Sequence, residues 1–171
     1  MDLKRSIRDV PDFPKPGILF RDITPLLANA KAFEAIIDAF EADARSHGAG
    51  AIVGIESRGF IFGAPLALRL GLPFVPVRKP GKLPSARMSV EYSLEYGESQ
   101  LDIHQDAMEP GTAAYIVDDL LATGGTALAA AKLVEVIGGV VAGMGFAVEL
   151  DALGGRQRLK PYAVHSVVRY S

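Results

Sequence analysis

Short, wholly apolar runs alternate along this chain with stretches whose apolar positions recur every three or four residues. Ala51 to Ile55, Phe74 to Val77 and Tyr115 to Val117 are of the first kind and predict buried strands, as do the later runs Val140 to Val148 and Ala163 to Tyr170. Phe33, Ile36, Ile37, Phe40 and Ala44 mark one face of a helix near 31–46, with Gly48 as its stop. Residues 59–70 predict a helix ending at Gly71, and 124–137 another. A short helix is expected at 2–8, stopped by Pro11 and Pro14, and 11–27, with four prolines and a glycine, reads as irregular. Residues 90–95 and 99–104 flank Tyr96-Gly97-Glu98 and predict a β-hairpin.

Apolar strands alternating with helical segments predict an α/β fold, a mainly parallel, twisted sheet flanked by helices on both faces. Such sheets take their ligands at the carboxyl ends of the strands. The loops 56–59, 78–87 and 118–126 each follow a predicted strand, and they are expected to converge on one crevice within a single domain spanning 1–171.

The richest of these loops closes the run Ala114-Tyr-Ile-Val-Asp-Asp-Leu-Leu-Ala-Thr-Gly-Gly-Thr126. An apolar strand ends in two adjacent carboxylates, Asp118 and Asp119. The small residues Ala122, Thr123, Gly124, Gly125 and Thr126 follow, and then a helix begins. That layout puts backbone N–H groups and a helix N-terminus around a phosphate, with threonine hydroxyls as further donors and glycines for close approach. The carboxylates sit where sugar hydroxyls or a metal can lie. No Gly-Lys-Ser/Thr follows the glycines and no G-x-G-x-x-G is present, so the loop is neither a P-loop nor a dinucleotide fingerprint. Taken residue by residue, a solvated acidic turn with a capping threonine is the competing reading.

This run resembles the phosphoribosyl pyrophosphate (PRPP) motif of the type I phosphoribosyltransferases, and the chain from about Ile7 to Tyr170 resembles the adenine-using branch of that family. The resemblance implies that Asp118 and Asp119 meet the ribose 2′- and 3′-hydroxyls and that Ala122 to Thr126 hold the 5-phosphate. It also implies a small N-terminal hood, about 1–30, and a flexible lid loop and hairpin, about 80–104.

Four further segments gain meaning beside that motif. Glu56-Ser57-Arg58 precedes a helix start, where N–H groups and the Arg58 guanidinium favour an anion; a capping serine beside a surface ion pair is the alternative. Arg78, Lys79 and Lys82 form a basic cluster on a slightly acidic chain, which is either a solvated loop or a cradle for a pyrophosphate leaving group. The resemblance favours pyrophosphate for both segments, with one cation crossing a dimer interface. Tyr92-Ser-Leu-Glu-Tyr-Gly97 matches the family's lid. Spacing alone reads Glu95 as an exposed hairpin carboxylate; the resemblance makes it the acid/base facing purine N7, with Tyr96 as its neighbour in the lid. In Gly17-Ile-Leu-Phe-Arg-Asp-Ile23, Phe20 can stack on a flat heterocycle or simply fill a core. The resemblance implies an adenine site there, with the backbone of Leu19 and Arg21 at the edge of the base and Leu120 on its opposite face.

Composition narrows the partners. Apolar residues make up 49% and charged residues 22%, ordinary for a globular chain, and 171 residues suffice for one substantial core. The net charge of −2 gives no global basic field for nucleic acid. The lack of cysteine excludes disulfides and thiolate chemistry. Met1 to Arg5 shows no apolar signal core and no run approaches the roughly 18 apolar residues of a membrane span, so no membrane partner and a cytoplasmic location are expected. His47, His104 and His165 share no metal-ligand spacing, and Ser57 is not in a G-x-S-x-G elbow.

The resemblance then implies a reaction, adenine + PRPP giving AMP + pyrophosphate. Its cofactor is Mg²⁺, bound through PRPP and water with no direct protein ligand, and its assembly is a homodimer. Two alternatives stay open at this point. One is the same chemistry on xanthine or another oxopurine. The other is a PRPP-sensing regulator, which would ordinarily bring a partner or DNA-binding part; no basic helix is evident in this sequence.

Overall fold

The computed structural model describes residues 1–94 and 97–171. The chain divides into two compact units, Met1–Ala39 and Phe40–Ser171.

In the first unit a 3₁₀ turn, Leu3–Ser6, leads into β1 (Arg8–Pro11), which pairs antiparallel with β2 (Leu19–Asp22). The helix expected at 2–8 is thus a single tight turn, and Pro11 ends a strand instead. The segment expected to be irregular holds β2 and a short helix, α1 (Thr24–Ala28). Of its prolines, Pro11 closes β1 opposite Leu19, Pro14 and Pro16 lie between the strands, and Pro25 stands in the first turn of α1, where a missing N–H does no harm. The two strands are tied by charge as well as by backbone: Arg8 pairs with Asp22 and Arg21 with Asp9, each pair directly opposite in register. Helix α2 (Ala30–Ser46) begins in this unit; Ala32, Ile36, Ile37, Phe40 and Ala44 are its buried positions.

The second unit is built on β3 (Ala51–Ile55), β4 (Phe74–Val77), β7 (Ala113–Leu121), β8 (Val140–Leu150) and β9 (Val164–Tyr170). They form one parallel sheet in the order β4-β3-β7-β8-β9. Every residue of β3 is buried, as a strand covered on both faces must be. Helix α3 (Gly59–Leu70) lies on the Gly54 face of the sheet, close enough that a Cβ at Gly63 would stand 3.4 Å from Gly54 Cα. Helix α4 (Gly125–Val136) lies on the other face, where Ala127, Ala130, Ala131, Leu133 and Val134 pack with Val53, Ile55, Ile116 and Met144. The hairpin β5 (Arg87–Leu94) and β6 (Gly97–His104) joins this side through buried Leu101 and Ile103. It starts three residues earlier than the alternation suggested, and Gly97 and Glu98 are strand residues opposite Leu94 and Ser93.

The chain order reverses at β3: β4 lies on one side of it and β7 on the other. Ligand crevices of open α/β sheets form at such a switch point. The last β3–β7 pairing is Gly54 with Val117, yet β7 continues along β8 through Asp118, Leu120 and Leu121, opposite Phe146, Val148 and Glu149. The carboxylates expected just beyond a strand end therefore lie within an overhanging strand.

Candidate active site

The overhang and the loop after it form one pocket, lined by Asp118 to Thr126, by Ala127 and by Arg58. Gly124, at φ 83°, turns the chain into α4, so the helix N-terminus and the small loop face the same space as the acid pair. Asp118 is half-buried and Asp119 buried, with Asp119 N–H donating to Asp118 Oδ1 at 2.9 Å. Burial, and then the neighbouring Asp119 charge, push the Asp118 carboxyl well above the ordinary carboxylate range, and the Arg58 charge offsets only part of this.

The loop after β3 meets the acid pair directly. Arg58 Nε lies 2.8 Å from Asp119 Oδ2. Next to it, Gly59 starts α3 so near β7 that a Cβ there would stand 2.7 Å from the Val117 carbonyl oxygen and 3.1 Å from Asp118 Oδ1. The Glu56–Ser57 peptide is cis. Glu56 reaches the other way: Arg78 Nη2 donates to its Oε1 at 3.0 Å and the Lys79 N–H to its Oε2 at 2.7 Å. Burial raises this carboxyl, but those two hydrogen bonds and the charges of Arg78 and Lys82 outweigh it and hold the pKa below the usual value. Lys79 and Lys82 are exposed. The loops after β3 and β7 thus meet at Arg58, and those after β3 and β4 at Glu56.

Loop 78–87 is tied to the hairpin, because Arg78 and Asp102 exchange both backbone hydrogen bonds, at 3.0 and 2.8 Å. Tyr92 packs against the core, and its hydroxyl lies 3.5 Å from Thr126 Oγ1. Glu95 and Tyr96 lie outside the described residues. In the first unit, Phe20 is half-buried with the Phe13 ring edge-on at 5.2 Å, and Leu19 is exposed. Arg21 has its guanidinium on Asp9, and Asp22 accepts from Thr24 N–H at 2.9 Å and from the Thr24 hydroxyl at 2.6 Å.

Sequence reasoning missed an ionic network around buried Glu149 beside the loop 122–126, formed with Arg156, Ser166 and Arg169. A signal for it exists: Glu149 interrupts the apolar run of β8 and is followed by Gly154-Gly155-Arg156.

A pocket made of an acid pair, a small-residue loop and a helix start at a parallel-sheet switch point defines a class of sugar-phosphate-handling transferases. The chain matches the family model "Phosphoribosyl transferase domain" over residues 26–167. It is 57% identical over 170 residues to the adenine phosphoribosyltransferase of Acaryochloris marina, covering 99% of this chain and 100% of that one. Among solved structures it is similar to the adenine phosphoribosyltransferase of Thermoanaerobacter pseudethanolicus, with a TM-score of 0.95, 52% identity and coverage of 99% and 98% of the two chains. The Saccharomyces cerevisiae enzyme, solved with adenine and an imino-altritol 1,6-bisphosphate, gives a TM-score of 0.91 at 43% identity and 96% coverage of each. The chain belongs to the adenine phosphoribosyltransferases. It is an enzyme of purine salvage that transfers the phosphoribosyl group of PRPP to adenine, giving AMP and pyrophosphate. Among the described residues no helix is long and apolar enough to cross a membrane.

Proposed function

We propose that the pocket at the end of β7 is the PRPP site of this transferase. The observation that carries the reading is the Arg58–Asp119 ion pair, which puts an anion-binding loop and a hydroxyl-binding acid pair within one crevice. Asp118 and Asp119 accept hydrogen bonds from the ribose 2′- and 3′-hydroxyls. The N–H groups of Ala122 to Thr126, with the hydroxyls of Thr123 and Thr126, hold the 5-phosphate at the start of α4.

Pyrophosphate lies toward Ser57, Arg58, Arg78, Lys79 and Lys82, with Glu56 holding Arg78 and the Lys79 backbone in place. As the bond from the anomeric carbon to pyrophosphate breaks, negative charge grows on the leaving oxygens and these cations stabilise it. Adenine N9 attacks the anomeric carbon, and the rate depends on holding both substrates in line. The base is recognised by stacking on Phe20 and by the backbone of Leu19 and Arg21. Glu95 takes the N7 proton of adenine as the bond from N9 to the anomeric carbon forms and gives it up to solvent, with Tyr96 its neighbour in the sequence.

Mg²⁺ supplies charge neutralisation on the pyrophosphate. It would be carried by PRPP and water, since a small hard cation keeps its waters and prefers phosphate, and Asp118 and Asp119 would contribute the carboxylate charge of the pocket. The active form is a homodimer. An apolar stripe on α3, Ile61, Ala64, Pro65 and Leu68, runs along one helix face toward solvent, with Leu68 85% exposed, and a second copy would cover it.

The test is a pyrophosphate-release assay with Mg²⁺ and PRPP, run in parallel on adenine, hypoxanthine, guanine, xanthine and orotate. Release with adenine, matched by AMP formation, is expected. Equal release with an oxopurine would overturn the base assignment around Phe20.

A further inference from the structure

Glu149 is 2% exposed in the middle of the unit, a costly place for a carboxylate. Arg156 meets it with a fork: Nε donates to Oε1 at 3.0 Å and Nη2 to Oε2 at 2.5 Å. The same guanidinium donates from Nη1 to the Val164 carbonyl at 2.7 Å and from Nη2 to Ser166 Oγ at 3.2 Å. Arg169 approaches Glu149 Oε2 at 3.5 Å and Asp151 Oδ1 at 3.0 Å. Burial raises the Glu149 carboxyl, but the hydrogen bonds from Arg156 and Ser166 and the two guanidinium charges outweigh it and keep it below the usual value. A buried ion pair of this kind adds little stability over a well-packed apolar pair, so its value lies in what it fixes in place.

What it fixes is the short helix α5 (Gly155–Arg158), and α5 leans on the phosphate loop. Glu149 is the register partner of Leu121, the last residue of β7 before that loop. A Cβ on Gly155 would fall far inside contact distance of the Ala122 carbonyl oxygen and 2.7 Å from Leu121 Cδ1. Gly155 O in turn stands 2.9 Å from the Cβ position of Gly124, and Arg158 Nη1 3.3 Å from that of Gly125. Ala122, Gly124 and Gly125 are thus backed by one element, and that element is held by Arg156.

We propose that Glu149 and Arg156 are positioning residues for the 5-phosphate subsite: their fork presses Gly155 against the back of the loop and so sets where the loop's N–H groups point. This rests on the assignment of residues 122–126 to the 5-phosphate. Neither side chain touches substrate. A shift of the loop by a fraction of an ångström, rather than loss of a contact, is the route by which they act.

The test uses Glu149→Gln, Arg156→Lys and Gly155→Ala in the full chain, with Thr126→Val as a direct loop variant. Ribose 5-phosphate and Mg-pyrophosphate binding are measured by calorimetry, and KM for PRPP and for adenine by steady-state kinetics. The expected result is a loss of ribose 5-phosphate affinity and a rise in KM for PRPP of about tenfold or more. Pyrophosphate affinity and KM for adenine should stay within about twofold, a selectivity that general loosening of the fold does not produce. Gly155→Ala keeps the ion pair and moves the loop by contact alone, so it reads the same relationship if either charged variant fails to fold. Unchanged ribose 5-phosphate binding in all three buttress variants, with clear weakening in Thr126→Val, overturns the proposal. Equal weakening toward every ligand overturns it as well. If Thr126→Val also leaves binding unchanged, the loop assignment itself fails and the proposal with it.

Discussion

Arg58 Nε lies 2.8 Å from Asp119 Oδ2, across the gap between the loop after β3 and the overhang of β7. Asp119 is 5% exposed, so this guanidinium compensates a carboxylate that water hardly reaches. Arg58→Gln is expected to lower Tm by about 2 °C or more, because it removes that partner and leaves the charge buried. It should also raise KM for PRPP about tenfold or more, because a pyrophosphate contact goes with it. Scanning calorimetry and initial-rate kinetics check both effects, and an unchanged KM would leave Arg58 a purely structural residue.

Asp118 gives a pH-dependent expectation. Its folded-state pKa stands above the ordinary value of 3.8, so the folded chain holds the proton more tightly than the unfolded chain. The stability this confers is complete below the ordinary value and is lost as pH rises through the folded value. Above the ordinary value the raised carboxyl is a cost that Asp118→Asn removes. That variant should melt about 2 °C or more above the parent at pH 8, with the difference shrinking toward pH 4, while PRPP binding weakens. A difference in Tm independent of pH, or unweakened PRPP binding, would sink the assignment.

Glu95→Gln keeps size and hydrogen-bonding capacity but removes the proton acceptor. If Glu95 serves purine N7, kcat should fall about 10²-fold or more with little change in PRPP affinity. A kcat near that of the parent would take Glu95 out of the chemistry.

Tyr115 is fully buried in β7, and its hydroxyl donates to Asp43 Oδ2 at 2.7 Å. Burial, and then the Asp43 hydrogen bond and charge, push the phenol far above its usual pKa, so it stays a donor at every working pH. Tyr115→Phe leaves Asp43 without that donor and should cost about 1–2 kcal/mol in urea unfolding while kcat and KM stay unchanged. The two effects separate the strand's packed stem from its chemical tip.

The elements that could be read before folding are those whose whole signal is local. β3, α3 and β4 run over the residues predicted for them because each is a short apolar or periodic run bounded by glycine, proline or a charged loop. β7 was legible only to Val117, since the pattern there turns acidic while the hydrogen bonding to β8 runs on to Leu121. The prolines of 11–27 hid β2 and α1, because a proline at a strand border or a helix start looks the same in sequence as one in a loop. The loop residues were visible as motifs: Arg58 and the 118–126 run share one pocket, while Glu56 is joined to Arg78. The buttress of Glu149 and Arg156 was not, because Glu149 reads as the polar end of an apolar run and nothing local says which cation meets it.

The overhang of β7 has a consequence for what the crevice can hold. The β3–β7 pairing ends at Gly54 while β7 runs on from Val117 to Leu121, roughly 13 Å of strand with β8 on one flank and no β3 on the other. That mismatch in length acts as a ruler. A longer β3 would zip up the open edge and erase the crevice, and a shorter β7 would pull the acid pair away from the phosphate loop. Insertions and deletions at these two strand ends should therefore be tolerated far less than substitutions of the side chains around them.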